Sequence, residues 1–147
     1  MVDTLPAEIA GDASFDGAEY GWKLSSFPAA LAAAGRLGFA CLGGQLQFRF
    51  DASVFEMYWL SADASERSPN ELWSDYVHRS CGEVSQGFTE LIGKLDVQRI
   101  VQEWPALKAA VGNCIDPSHA LVFVAYFVTE EEYVALARIG QPLDQNP

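Results

Sequence analysis

Two neighbouring segments, Gln45-Leu46-Gln47-Phe48-Arg49-Phe50 and Phe55-Glu56-Met57-Tyr58-Trp59-Leu60, alternate apolar and polar side chains around the turn-like Asp51-Ala52-Ser53. A period of two puts successive side chains on opposite faces of a strand, so this stretch can fold only as an antiparallel hairpin with one face buried. With Asp51 to Val54 as the loop, Phe50 opposes Phe55, Phe48 opposes Met57 and Leu46 opposes Trp59. The other face then sets Arg49 against Glu56 and Gln47 against Tyr58. A one-residue slip would turn the apolar set outward and separate the opposite charges.

The surrounding punctuation fixes the other elements. Ser25 or Ser26 can cap an Ala-rich helix with Pro28 in its first turn and a stop at Gly35. Gly43-Gly44 lacks the following helix and the Lys-Ser/Thr ending of a phosphate loop, so a bend or bulge between strand segments is expected. Asp63 to Ser68 is a polar loop, and Ser68-Pro69-Asn70-Glu71 has the form of a capping box. The helix behind it carries Leu72, Trp73, Tyr76, Val77, Ser80, Val84, Phe88, Leu91 and Leu95 in one stripe, weakened as a single rod by Gly82 and Gly87. Asp96 can cap a short helix that Pro105 kinks or ends, and Asp116-Pro117 marks a turn. Leu121 to Val128 is a continuous β-branched and aromatic run, the mark of a central strand buried on both faces. Thr129-Glu130-Glu131-Glu132 opens a last helix that stops at Gly140.

The expected fold is α+β: a small antiparallel sheet with helices packed on its apolar face. Residues 21–140 form a single domain. Residues 1–20 hold Asp3, Glu8, Asp12, Asp16 and Glu19 without a basic residue, and read as a loosely ordered acidic arm with Phe15, Tyr20 and Trp22 as possible anchors. Residues 141–147 read as a polar tail.

The chain has 20 acidic and 9 basic residues, a net charge of -11. Phosphates would be repelled, so neither nucleic acid nor an anionic membrane is an expected partner, whereas a basic protein is. Met1 to Ala10 lacks the basic and apolar regions of a secretion signal, and no apolar run approaches the ~20 residues of a membrane span. Cys41, Cys81 and Cys114 are odd in number and widely spaced, which fits a reduced, cytoplasmic protein.

No nucleophile elbow, zinc-spaced cysteine pair, HExxH helix or calcium loop is present, so no catalytic residue, metal or cofactor is expected and the chain does not read as an enzyme. His78, three residues after Asp75, and His119, in a turn, read as surface histidines. Two surfaces could meet a partner. One is the acidic set Asp63, Glu66, Glu71 and Asp75, suited to a basic surface. The other is the polar hairpin face with Gln45, Gln47, Arg49, Glu56 and Tyr58, whose side chains make adaptable hydrogen bonds.

Three segments together, Ala40-Cys41-Leu42-Gly43-Gly44-Gln45-Leu46-Gln47-Phe48, Glu56-Met57-Tyr58-Trp59 and Trp73-Ser74-Asp75-Tyr76-Val77-His78-Arg79-Ser80, resemble small bacterial immunity proteins encoded beside secreted polymorphic toxins. The resemblance is one of pattern and covers roughly residues 38–128. It implies a cytoplasmic, non-catalytic protein that binds one cognate toxin domain, and the acidic balance adds occlusion of a basic active-site cleft as the mode of neutralisation. The alternative expectation is a small-ligand-binding domain or enzyme using the polar face of the 45–60 hairpin and one histidine.

Overall fold

The run Leu121–Val128 forms β5, the middle strand of a five-stranded antiparallel sheet. The structure, a computed structural model, describes residues 5–16, 19–51, 53–112 and 116–139. On one side of β5 lie β2 (Glu19–Lys23) and then β1 (Ser14–Asp16), and on the other lie β3 (Ala40–Arg49) and then β4 (Val54–Asp63). The fold is therefore α+β, as expected. All residues of β5 except Tyr126 are buried: β3 pairs with the strand along its length, β2 pairs with Val122 to Val124, and the helices cover the face that carries Phe123 and Phe127.

Helices α1 (Ala7–Ala10), α2 (Phe27–Leu37) and α3 (Trp73–Lys94) pack over the face that carries Leu46, Phe48, Met57, Phe123 and Phe127. Phe27 is the hub of that core. Its ring lies 4.6 Å from Phe123, 4.9 Å from Phe88 and 5.8 Å from Trp22, centroid to centroid. Helix α3 buries Tyr76, Val77, Ser80, Val84 and Phe88, the expected stripe, while Leu72 is exposed. It runs unbroken through both glycines. A methyl at Gly87 would sit 2.9 Å from the Ala62 Cβ, so this glycine allows a close approach of helix and sheet. Helices α4 (Val97–Glu103) and α5 (Pro105–Val111) follow, with Trp104 between them, and α6 (Glu130–Ile139) closes the described chain.

Local chemistry sets most boundaries as expected. Asp96 accepts the Arg99 amide at 3.1 Å, and Thr129 and Glu132 exchange two capping hydrogen bonds of 2.8 and 3.2 Å. Helix α2 passes Gly35 and stops instead at Gly38, which adopts a left-handed φ of 80°. Ser68 and Glu71 form a turn ahead of α3 rather than its cap: the Ser68 amide donates to Glu71 Oε1 at 3.0 Å and the helix begins at Trp73. Gly43 is extended on the positive side (φ 137°) at a one-residue shift between β3 and β5, the expected bulge.

Two expectations are corrected. The segment read as a loose acidic arm belongs, over its described residues, to the fold. Ile9 is fully buried, and Trp22 Nε1 donates to the carbonyls of Ile9 and Ala10 at 3.0 and 3.1 Å. The second correction is the hairpin register. Phe48 opposes Phe55, Leu46 opposes Met57, Gln47 opposes Glu56 and Arg49 opposes Val54, two residues from the expected pairing. The turn is tighter, closed by mutual backbone hydrogen bonds between Phe50 and Ser53. A shift of two leaves the side chains from Val54 to Met57 on their expected faces, so both registers satisfy the same pattern there. The expected tail, residues 141–147, and Cys114 lie outside the described residues.

Candidate functional site

Beyond Met57 the ladder breaks. Leu46 pairs with Met57 but Gln45 pairs with Ser61, so Tyr58, Trp59 and Leu60 form a bulge on β4, an edge strand. The bulge turns two adjacent aromatic rings outward. Tyr58 is 74% exposed and Trp59 55% exposed, with their rings edge-on at 5.3 Å. Trp104 supports them from behind, 5.8 Å from Trp59 and 5.4 Å from Phe55. The α4–α5 joint thus holds Trp59 in place while leaving about half of it open to solvent.

Acidic residues adjoin in sequence the elements that build this knuckle. Glu56 is exposed beside it on β4, Asp51 is exposed in the hairpin turn, and Glu103 precedes Trp104. Glu103 is paired with Arg99 at 2.9 Å in an exposed i,i+4 contact.

The polar hairpin face is a connected string rather than a set of free groups. Glu56 Oε1 accepts from Gln47 Nε2 at 3.2 Å, and Gln47 Oε1 accepts from Arg49 Nε at 2.8 Å. The Arg49 guanidinium then reaches across the sheet and donates to Ser14 O and Oγ and to Glu19 O, at 2.9, 2.9 and 3.1 Å. Gly21 leaves the room for this reach, since a methyl there would lie 3.0 Å from Arg49 Cζ. Gln47 is buried and both ends of its amide are satisfied. Arg49 and Gln47 therefore tie β3 to the β1–β2 hairpin, and of this group Glu56 and Tyr58 are the exposed members, with Gln45 half-buried.

The acidic loop divides in the same way. Glu71 is clasped by Arg79, which donates from Nε to Oε2 and from Nη2 to Oε1, both at 2.8 Å. Arg79, then the Ser68 amide, hold the Glu71 carboxyl down at about 2. Arg79 also pairs with Glu83 at 3.0 Å and reaches the Glu66 carbonyl, and its guanidinium lies 5.1 Å from the Tyr76 ring centre. Arg67 bridges to Glu130 on α6 at 2.8 Å and lies over Trp73. Asp63, Glu66 and Asp75 remain exposed around this network.

Both histidines are exposed, and His119 Nε2 lies 3.6 Å from Asp116. Burial pushes the Cys41 and Cys81 thiols upward, away from the reactive thiolate. Among the described residues no group of His, Cys, Asp and Glu is placed to hold a metal ion, and no helix is long and apolar enough to cross a membrane.

Sequence reasoning placed Tyr58 and Glu56 on the exposed face but assigned Trp59 to the buried one and gave Trp104 no surface role. The signal was the pair Trp59-Leu60, two apolar residues in succession where the alternation fails. No family model, curated protein or solved structure matches the chain.

Proposed function

We propose that the chain is a non-catalytic acidic protein-binding domain whose contact surface centres on Tyr58 and Trp59. The observation that carries this reading is the pair of exposed rings on an edge-strand bulge, with Trp104 against Trp59 and the exposed Glu56 two residues from Tyr58 on the same strand. Large aromatic side chains held in a fixed orientation lose little entropy on binding and dominate interface energetics. The acidic surroundings favour a basic partner and exclude acidic competitors. The partner implied by the sequence resemblance is a bacterial toxin domain, neutralised when its basic cleft is covered, with Asp63, Glu66 and Asp75 as a second acidic contact. A cytoplasmic location belongs to the same proposal.

The test starts from capture of partners from the source cells on tagged protein, followed by reconstitution with the purified partner. Tyr58→Ala and Trp59→Ala should each weaken the reconstituted complex by about 2 kcal/mol, close to thirtyfold in Kd. Because Tyr58 is exposed, its replacement should change stability by less than about 0.5 kcal/mol. Unchanged affinity in both variants would overturn the assignment of this surface.

A further inference from the structure

The cleft between β5, the β1–β2 hairpin and α6 has no role in the reading above. It arises because β2 leaves the sheet early. The strand starts at Glu19, yet its pairing with β5 covers only Gly21 to Lys23, opposite Val124 to Val122. Ala125 to Val128 therefore lack a β2 partner in the ladder, and the Tyr126 hydroxyl spans the gap by donating to Glu19 Oε2. On the far side α6 buries none of its side chains, and its Leu136 and Ile139 are exposed where they line the opening.

The resulting space measures about 460 Å³. Small-molecule sites span about 300–1,000 Å³ and combine apolar walls with a few polar groups. Here the walls are Leu5, Phe15, Tyr20, Leu42, Phe127 and Leu136. Among the described residues the ionisable side chains in the lining are Glu19, Glu131, Glu132 and the two tyrosines, with no lysine, arginine or histidine. Glu132 is held by the α6 cap and Glu19 by Tyr126, whereas Glu131 is exposed and makes no hydrogen bond or ion pair among the described residues. Phe15 and Tyr20, edge-on at 4.7 Å, add aromatic faces that attract a cation.

We infer that this cleft binds a small organic cation with an apolar body, the body lying between α6 and the sheet and the charged end meeting Glu131 and Glu19. A carboxylate of the same shape would meet uncompensated negative charge at the rim. The site contains neither Tyr58 nor Trp59, so it stands or falls separately from the protein-binding surface.

Octylammonium and octanoate share an alkyl chain and differ in charge, and both can be titrated into the isotopically labelled full chain by NMR. Octylammonium should bind saturably, with shifts confined to Phe15, Tyr20, Tyr126 and α6, and octanoate should bind at least about tenfold more weakly. Glu131→Gln should weaken octylammonium several-fold without weakening octanoate. Ala135→Trp, on the exposed α6 surface that lines the cleft, should abolish binding while the dispersed spectrum reports an intact fold. Equal affinity for the two probes, shifts centred on Tyr58 and Trp59, retained binding in Ala135→Trp, or no binding of either probe would each overturn the inference.

Discussion

Glu71 receives two hydrogen bonds from one guanidinium and a third from the Ser68 amide, and with the Ser65–Glu83 contacts it couples the 64–72 loop to α3. Its carboxyl is held at about 2 in the folded chain against an ordinary 4.5. A depressed folded pKa gives stability that is complete above the unfolded value and is lost as pH falls through the folded one. Loosening of the loop is therefore expected between pH 4.5 and about 2, seen as faster amide exchange at Ser68 and Glu71. In Arg79→Ala the Glu71 carboxyl should return toward the ordinary range, which its carbon chemical shift against pH would report. An unmoved titration would mean that Ser68, not Arg79, sets the value. Gly44 is the opposite kind of residue, needed for what it lacks. A methyl there would lie 2.3 Å from the Val124 carbonyl oxygen, so Gly44→Ala should cost about 3 kcal/mol in a urea unfolding measurement.

At the scale of the element, α3 offers an internal comparison between two glycines in one helix. A methyl at Gly82 meets nothing within 4 Å, so Gly82→Ala should raise stability by about 0.5–1 kcal/mol through helix propensity alone. At Gly87 the same gain is opposed by the Ala62 contact, and Gly87→Ala should lower stability by about 1 kcal/mol. Equal effects in denaturant melts would contradict the close approach of α3 to β4. The elements legible in the sequence are those whose signal is local. The Leu121–Val128 strand, the Asp96 cap and the Thr129–Glu132 box each depend on residues within one turn or one strand. What was illegible depends on distant partners or on parity. The hairpin register differs by two residues, which the alternation cannot register. Helix α1 is four residues long and is pinned by Trp22 from another element. The aromatic bulge on β4 is braced by Trp104, and the cleft is walled by segments from both ends of the described chain. Of the candidate surface, Glu56 and Tyr58 were therefore readable and Trp59 was not.

At the scale of the whole molecule, a net charge of -11 creates a long-range field that short contacts do not. If the partner is basic, association should slow by about tenfold or more between low salt and roughly 0.5 M salt, where the Debye length shrinks to a few ångströms. Dissociation should change far less, because it is governed by the aromatic contact. Stopped-flow association rates at several salt concentrations would check this, and a flat salt dependence would remove charge from the mechanism. The bulge on β4 bears on solubility as well. It cuts the outer margin of the sheet into two short stretches, Val54–Met57 and Ser61–Asp63, with an offset between them. A second molecule offering the same margin finds no continuous row of backbone donors and acceptors to zip onto. The kink that displays two sticky rings also denies them the template along which fibrils grow.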